Sequence, residues 1–195
     1  MSKIFAYGSL LNKSTWSFEA SLELVILKGW VRQWRQIVPL KKGNICALTI
    51  SPDPNTSIEG ILLKVDKETE NLLNGREIGY SKTILSPDEL VNQCANDQLI
   101  NDAAVTYTAN TSTNKWASEE APILLSYVDV VAKGYYEIYG WQGVVEFFNT
   151  TQGWNLPILN DRKDPIYPRA GIHDKKFLDF VDQQILLNLK QQYND

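Results

Sequence analysis

The strongest constraint on this chain is a change of hydrophobic period part-way along it. Up to about residue 110 the apolar residues come in short β-type runs: KIFAY (3–7), LELVIL (22–27), WVRQWRQIV (30–38), NICALTI (44–50), EGILLKV (59–65), YSKTIL (80–85) and AAVTYTA (103–109). Gly, Pro, Asn and Ser punctuate them at the spacing of a curled sheet or small barrel. One helix interrupts the series, predicted over 67–74 and closed by Gly75. From Ser118 onward the period is helical. Leu124, Tyr127, Val128, Val131 and Tyr135 share one face of a segment that begins at an N-cap serine and ends at Gly140. A short helix is expected over 142–149. A last one, over 174–191, carries Phe177, Leu178, Val181, Ile185 and Leu189 on one side, a face that should dock. Strands followed by helices make an α+β fold.

Composition then narrows the function. With 195 residues, 44% of them hydrophobic, the chain buries a core of its own. Its net charge is −4 with lysines and arginines scattered, so a nucleic-acid partner lacks its electrostatic footprint. No window approaches the ~20 apolar residues of a membrane span, and the opening residues fall short of a secretory leader. A cytoplasmic protein without membrane contact is expected. Cys46 and Cys94 are too few and too far apart for a disulfide framework, and read as buried thiols. The one histidine, His173, reads as a surface or capping residue. With two distant cysteines it has no metal-ligand spacing, so no metal site is expected. Trp30, Trp34, Trp141 and Trp154 read as core packing rather than a stacking surface. No oligomeric state follows from the sequence.

Two stretches carry chemistry. In FAYGSLLN (5–12) a strand ends at Tyr7 and runs into Gly8-Ser9-Leu10, where glycine's freedom in φ lets successive backbone N–H groups converge on an anion. Alone, a Gly-Ser step is everyday turn chemistry. In NLLNGREIGYSKTIL (71–85), Glu77 lies between a helix end and a strand, where a carboxylate can point over the mouth of a curled sheet. Alone, a loop glutamate is ordinarily solvated.

Together, FAYGSL near the N-terminus, EGILLKV some 50 residues later and then GREIGYSK resemble the γ-glutamylcyclotransferase superfamily, which includes ChaC-type glutathione-degrading enzymes and γ-glutamylamine cyclotransferases. The likeness extends through SYVDVVAKG (126–134), which resembles the family's helix with a pocket tyrosine, and covers residues 3–135. It implies a small mixed β-barrel with flanking helices over residues 1–140 and an extra helical segment over 141–195 packed on the same domain. It also implies a reaction. The α-amine of a γ-glutamyl compound attacks its own γ-carbonyl, closing 5-oxoproline and releasing an amine, with no metal or organic cofactor. Nucleophile and electrophile share one molecule, a setting in which effective molarities of about 10⁵ M or more are reached. On this resemblance Glu77 is the expected acid/base, while Tyr7, Gly8, Ser9, Leu10, Tyr80 and Tyr127 bind substrate. The alternative is a noncatalytic binder of small metabolites using the same cavity.

Ser9 as a nucleophile finds no support, because YGSL lacks the G-x-S-x-G elbow and His173 sits in a polar turn. The resemblance does not reach LPILNDRKDPIYPRA (156–170). This proline-stiffened loop is expected to do one of two things. It offers Arg162 or Arg169 to a second substrate carboxylate, such as the glycine end of glutathione, or it is a structural loop bonded to the last helix.

Overall fold

The structure is a computed structural model that describes residues 1–77, 79–93, 103–110 and 115–192. Its centre is a hairpin of two long antiparallel strands, β2 (Ser21–Leu40) and β3 (Gly43–Val65). Each joins two of the expected short runs. The register slips between Lys28 and Trp30 and again between Trp34 and Gln36. Gly29 takes φ +77 at the first slip, where Lys28 pairs with Ser57 and Trp30 with Pro52. The four residues DPNT (53–56) therefore stand outside the ladder opposite one glycine, and pairing resumes beyond them. Such bulges bend a strand and raise its twist, which is how a 20-residue strand wraps around a core.

β1 (Ser2–Ala6) pairs antiparallel with β3 and parallel with β6 (Ala104–Ala109), and β4 (Tyr80–Leu85) pairs with β6. On the other side β2 takes β5 (Leu90–Asn92) and the short β8 (Thr151–Gln152). The order β4-β6-β1-β3-β2-β5 leaves β4 and β5 as separate edges. The sheet thus curls into a half-barrel, open where a full barrel was expected.

α1 (Lys67–Arg76) is capped by Asp66, whose Oδ1 accepts from Thr69 N at 2.8 Å. It runs through Gly75 instead of ending there, because Gly75 keeps a helical backbone and the left-handed residue is Gly79, at φ +92. The second expected helix starts at Leu125, six residues later than an N-cap at Ser118 implies. Ser118 and Ala121 close a tight turn, Pro122 O accepts from Cys46 N, and β7 (Ile123–Leu124) pairs with β9 (Ile158–Leu159). Tertiary pairing thus removes these residues from the helix. α2 (Leu125–Asn149) then spans both expected helices, kinked at Gly140 with φ +68.

α3 (Lys175–Gln192) begins beside Asp174, whose carboxylate accepts from Phe177 N at 2.9 Å. His173 instead lies half-buried against the Phe177 ring, 5.3 Å between centroids. Phe177, Val181 and Ile185 join the core that α2 shares with the sheet, in which Trp34 and Trp154 are fully buried. Cys46 is buried and its thiol is pushed up to about 12 by desolvation. Cys94 lies outside the described residues. Among the described residues no helix is long and apolar enough to cross a membrane.

Candidate active site

The site forms where β1 runs out under α2. After Ala6 the chain makes a 3-10 turn over Ser9–Leu11, with Leu11 N bonded to Gly8 O and Asn12 N to Ser9 O. The N–H groups of Ser9 and Leu10 precede the first of these bonds and so have no partner within the turn. Gly8 adopts φ −126, so glycine is not used here for a left-handed conformation.

Three anchors hold the turn. Trp16 Nε1 donates to Leu10 O at 2.9 Å. Asn12, 1% exposed, donates to Val130 O of α2 at 3.0 Å and accepts from Ser14. At Gly134 the helix comes so close that a Cβ would stand 2.7 Å from Asn12 N and 2.8 Å from Leu11 C. Only glycine permits that approach.

Opposite the turn, α1 ends. Glu77 is its C-cap, N bonded to Leu73 O and O accepting from Tyr80 N, after which Gly79 swings the chain into β4. A pocket open to solvent is lined by Tyr7, Gly8, Ser9, Leu10, Glu77, Tyr80 and Tyr127, together with Leu48 and Tyr107. The two stretches that suggested an anion site and a carboxylate therefore share one cavity, although 66 residues lie between Leu10 and Glu77.

The pocket walls are phenols with committed protons. Tyr7 Oη donates to Tyr107 O at 2.5 Å, Tyr80 Oη to Leu48 O at 2.7 Å, and Tyr107 Oη to Asn74 Oδ1 at 2.8 Å. Burial lifts all four phenols, Tyr127 included, and the Glu77 charge lifts them further, Tyr107 to about 12. They stay neutral. Glu77 is the acid they enclose, its side chain 18% exposed. Desolvation raises its pKa above the usual carboxylate value, against the opposing charges of Arg76 and Arg169.

Arg76 is the residue the sequence reading missed. Its side chain is 10% exposed, and Nε stands 3.3 Å from Glu77 Oε1. Nη1 donates to Thr15 O at 3.0 Å, and Nη2 to Ser9 Oγ at 3.0 Å and Thr15 Oγ1 at 3.2 Å. A basic residue in a helix's last turn ordinarily complements the dipole and points to water. The sequence held no signal that this one folds back.

The two arginines of the 156–170 loop part company. Arg169 is exposed but close enough for its charge to act on both Glu77 and Arg76. Beside it Tyr167 is buried against Tyr127, 4.7 Å between ring centroids. Arg162 does not line the pocket. Nε and Nη2 bind Asp129 at 2.7 and 2.8 Å, and Nη1 binds Asp182 of α3 at 2.7 Å. Its expected contact with substrate is not supported, since each nitrogen of its fork already binds a carboxylate outside the pocket. Asp161 fixes the same loop by accepting from Ser126 N, Ser126 Oγ and Ile166 N.

This half-barrel with its helices is the fold of solved γ-glutamyl cyclotransferases. One such structure superposes with a TM-score of 0.60 at 16% identity over 93% of this chain and 98% of its own. An uncharacterized human protein gives 0.59 at 16%, with the same shares covered. A yeast γ-glutamyl cyclotransferase specific to glutathione gives 0.50 at 12%, covering 94% and 96%. No curated protein matches the sequence. The profile of ChaC-like proteins matches residues 2–136, and the chain belongs to that family.

Proposed function

We propose that this protein is a γ-glutamylcyclotransferase in which Glu77 serves as the single acid/base. The observation that carries this reading is the mostly buried Glu77 carboxylate in the same pocket as the Tyr7–Leu10 turn. Substrate lies folded between them. Glu77 takes a proton from the α-ammonium, and the freed amine attacks the γ-carbonyl of the same molecule. The new N–C bond closes the five-membered ring. The amide C–N bond then breaks as Glu77 returns the proton to the leaving amine, and the second proton that the ring nitrogen carries after the attack passes through the same carboxylate to the released amine, which departs as its ammonium. Its raised pKa brings donor and acceptor strengths nearer to balance at neutral pH. Ser9 and Leu10 N–H groups hold the α-carboxylate or the developing oxyanion. Tyr80 and Tyr127 shape the wall and keep water away.

Arg169, exposed and close enough for its charge to act on Glu77, suits a second carboxylate, such as that of a γ-glutamyl peptide. Glutathione, named for the yeast neighbour, is the first compound to try. The test is 5-oxoproline release from glutathione, γ-glutamyl amino acids and γ-glutamylamines. Glu77→Gln should keep fold and ligand binding while turnover collapses. Full activity in that variant rules out Glu77 as the base, and thermal stabilisation by all three compounds without product marks a binding protein.

A further inference from the structure

One planar group touches both halves of the site. The Arg76 guanidinium donates Nη2 to Ser9 Oγ and Nη1 to Thr15 O, while its Nε edge lies 3.3 Å from Glu77 Oε1. Its side chain is 10% exposed and is fed from the last turn of α1, so it is fixed by backbone as well as by partners. We infer that Arg76 is the positioning residue of this site, setting the separation between the Glu77 carboxylate and the Ser9 turn and holding that carboxylate in its proton-accepting form. This rests on the reading of Glu77 as the base.

The chemistry follows from the fork. Ser9 Oγ accepts from Arg76, so the hydroxyl's own proton is free for another acceptor. A lysine at 76 would keep a positive charge but not a rigid set of donors reaching the turn and Glu77 at once. Other groups act on Glu77 too. Arg169 of the 156–170 loop adds a second cation, and the phenols of Tyr7, Tyr80, Tyr107 and Tyr127 come from just past β1 and from β4, β6 and α2. Those phenols remain neutral, and Arg169 is exposed and so screened by solvent. Arg76 is thus the less screened of these two cations.

The experiment titrates the Glu77 carboxyl by carbon NMR in the wild type, Arg76→Gln and Arg76→Lys, with the pH profile of 5-oxoproline release measured alongside. Arg76→Gln should move the Glu77 midpoint up by about one pH unit or more, the scale of a neighbouring opposite charge. Arg76→Lys should keep the midpoint near the wild type yet lose turnover, because charge survives and geometry does not. A folded Arg76→Gln with an unmoved midpoint overturns the inference, since a merely structural prop would lower stability and leave the titration alone. Should Arg76→Gln not fold, Arg76→Met keeps the aliphatic stem and carries the same titration. If the wild type releases no 5-oxoproline, the cyclotransferase reading fails while the titration still decides what Arg76 does to Glu77.

Discussion

Replacing Gly134 by alanine separates a close helix approach from an ordinary helical glycine. In α2 the new Cβ would stand 2.7 Å from Asn12 N and 2.8 Å from Leu11 C, where ordinary contact begins at 3.4 Å. The overlap is therefore about 0.7 Å against backbone, which cannot rotate away as a side chain would. Overpacking of this kind costs about 1–3 kcal/mol. Alanine's better helix propensity returns about 1 kcal/mol. Gly75→Ala in α1 is the matched control, because a Cβ there meets nothing within 4 Å and only the propensity gain remains. Thermal unfolding should therefore move in opposite directions, Gly134→Ala falling and Gly75→Ala rising, with each kcal/mol worth roughly 2–4 °C in a domain of this size. Activity separates them further. Displacing the Ser9 turn by even part of an ångström should lower kcat/KM on the best γ-glutamyl substrate by about ten- to a hundred-fold, against no loss in Gly75→Ala. A Gly134→Ala protein as stable and as active as the control would show that α2 does not set the position of the turn.

Glu77→Gln should be more stable than the wild type at neutral pH, with the gap closing near pH 4. Burial raises the folded pKa of Glu77 above its unfolded value, so its stabilising contribution is complete at low pH and is lost as pH rises through the folded pKa. Urea melts at both pH values check this, and a gap that widens on acidification contradicts it. Arg162→Met should destabilise the fold by about 3–5 kcal/mol, because it strands the Asp129 carboxylate, whose side chain is 3% exposed, without a cation. Acid should relieve part of that loss as Asp129 takes up a proton, and a urea melt with no deficit refutes the pairing. Arg169→Ala should raise KM for glutathione several-fold and leave a γ-glutamylamine unchanged; equal losses on both would remove the carboxylate subsite.

The sequence was legible where one residue's own chemistry decided the outcome. Its periods marked the β-rich half and the helical half, and the docking face of α3 was readable because Phe177, Val181 and Ile185 recur at helical spacing. The Tyr7–Leu10 turn and Glu77 were legible as candidates, because a Gly-Ser step after a strand and a lone glutamate after a helix are local patterns. Gly29 falls in the gap between the runs at 22–27 and 30–38, where a bulge and a break use the same residue. The pairing of β2 with β3 on both sides of it decides which is meant.

Everything depending on distance in space had to wait for the fold. Arg76 and Arg162 are chemically alike in sequence, yet one folds back between Ser9 and Glu77 while the other is spent on Asp129 and Asp182. A guanidinium binds whichever acceptors the tertiary packing brings within about 3 Å, and no run of neighbours along the chain encodes that choice. The chain by itself set the kinds of element and the reactive groups available. Packing of α2 against the curled sheet and its turn, through contacts as short as the one at Gly134, decided which of those groups meet.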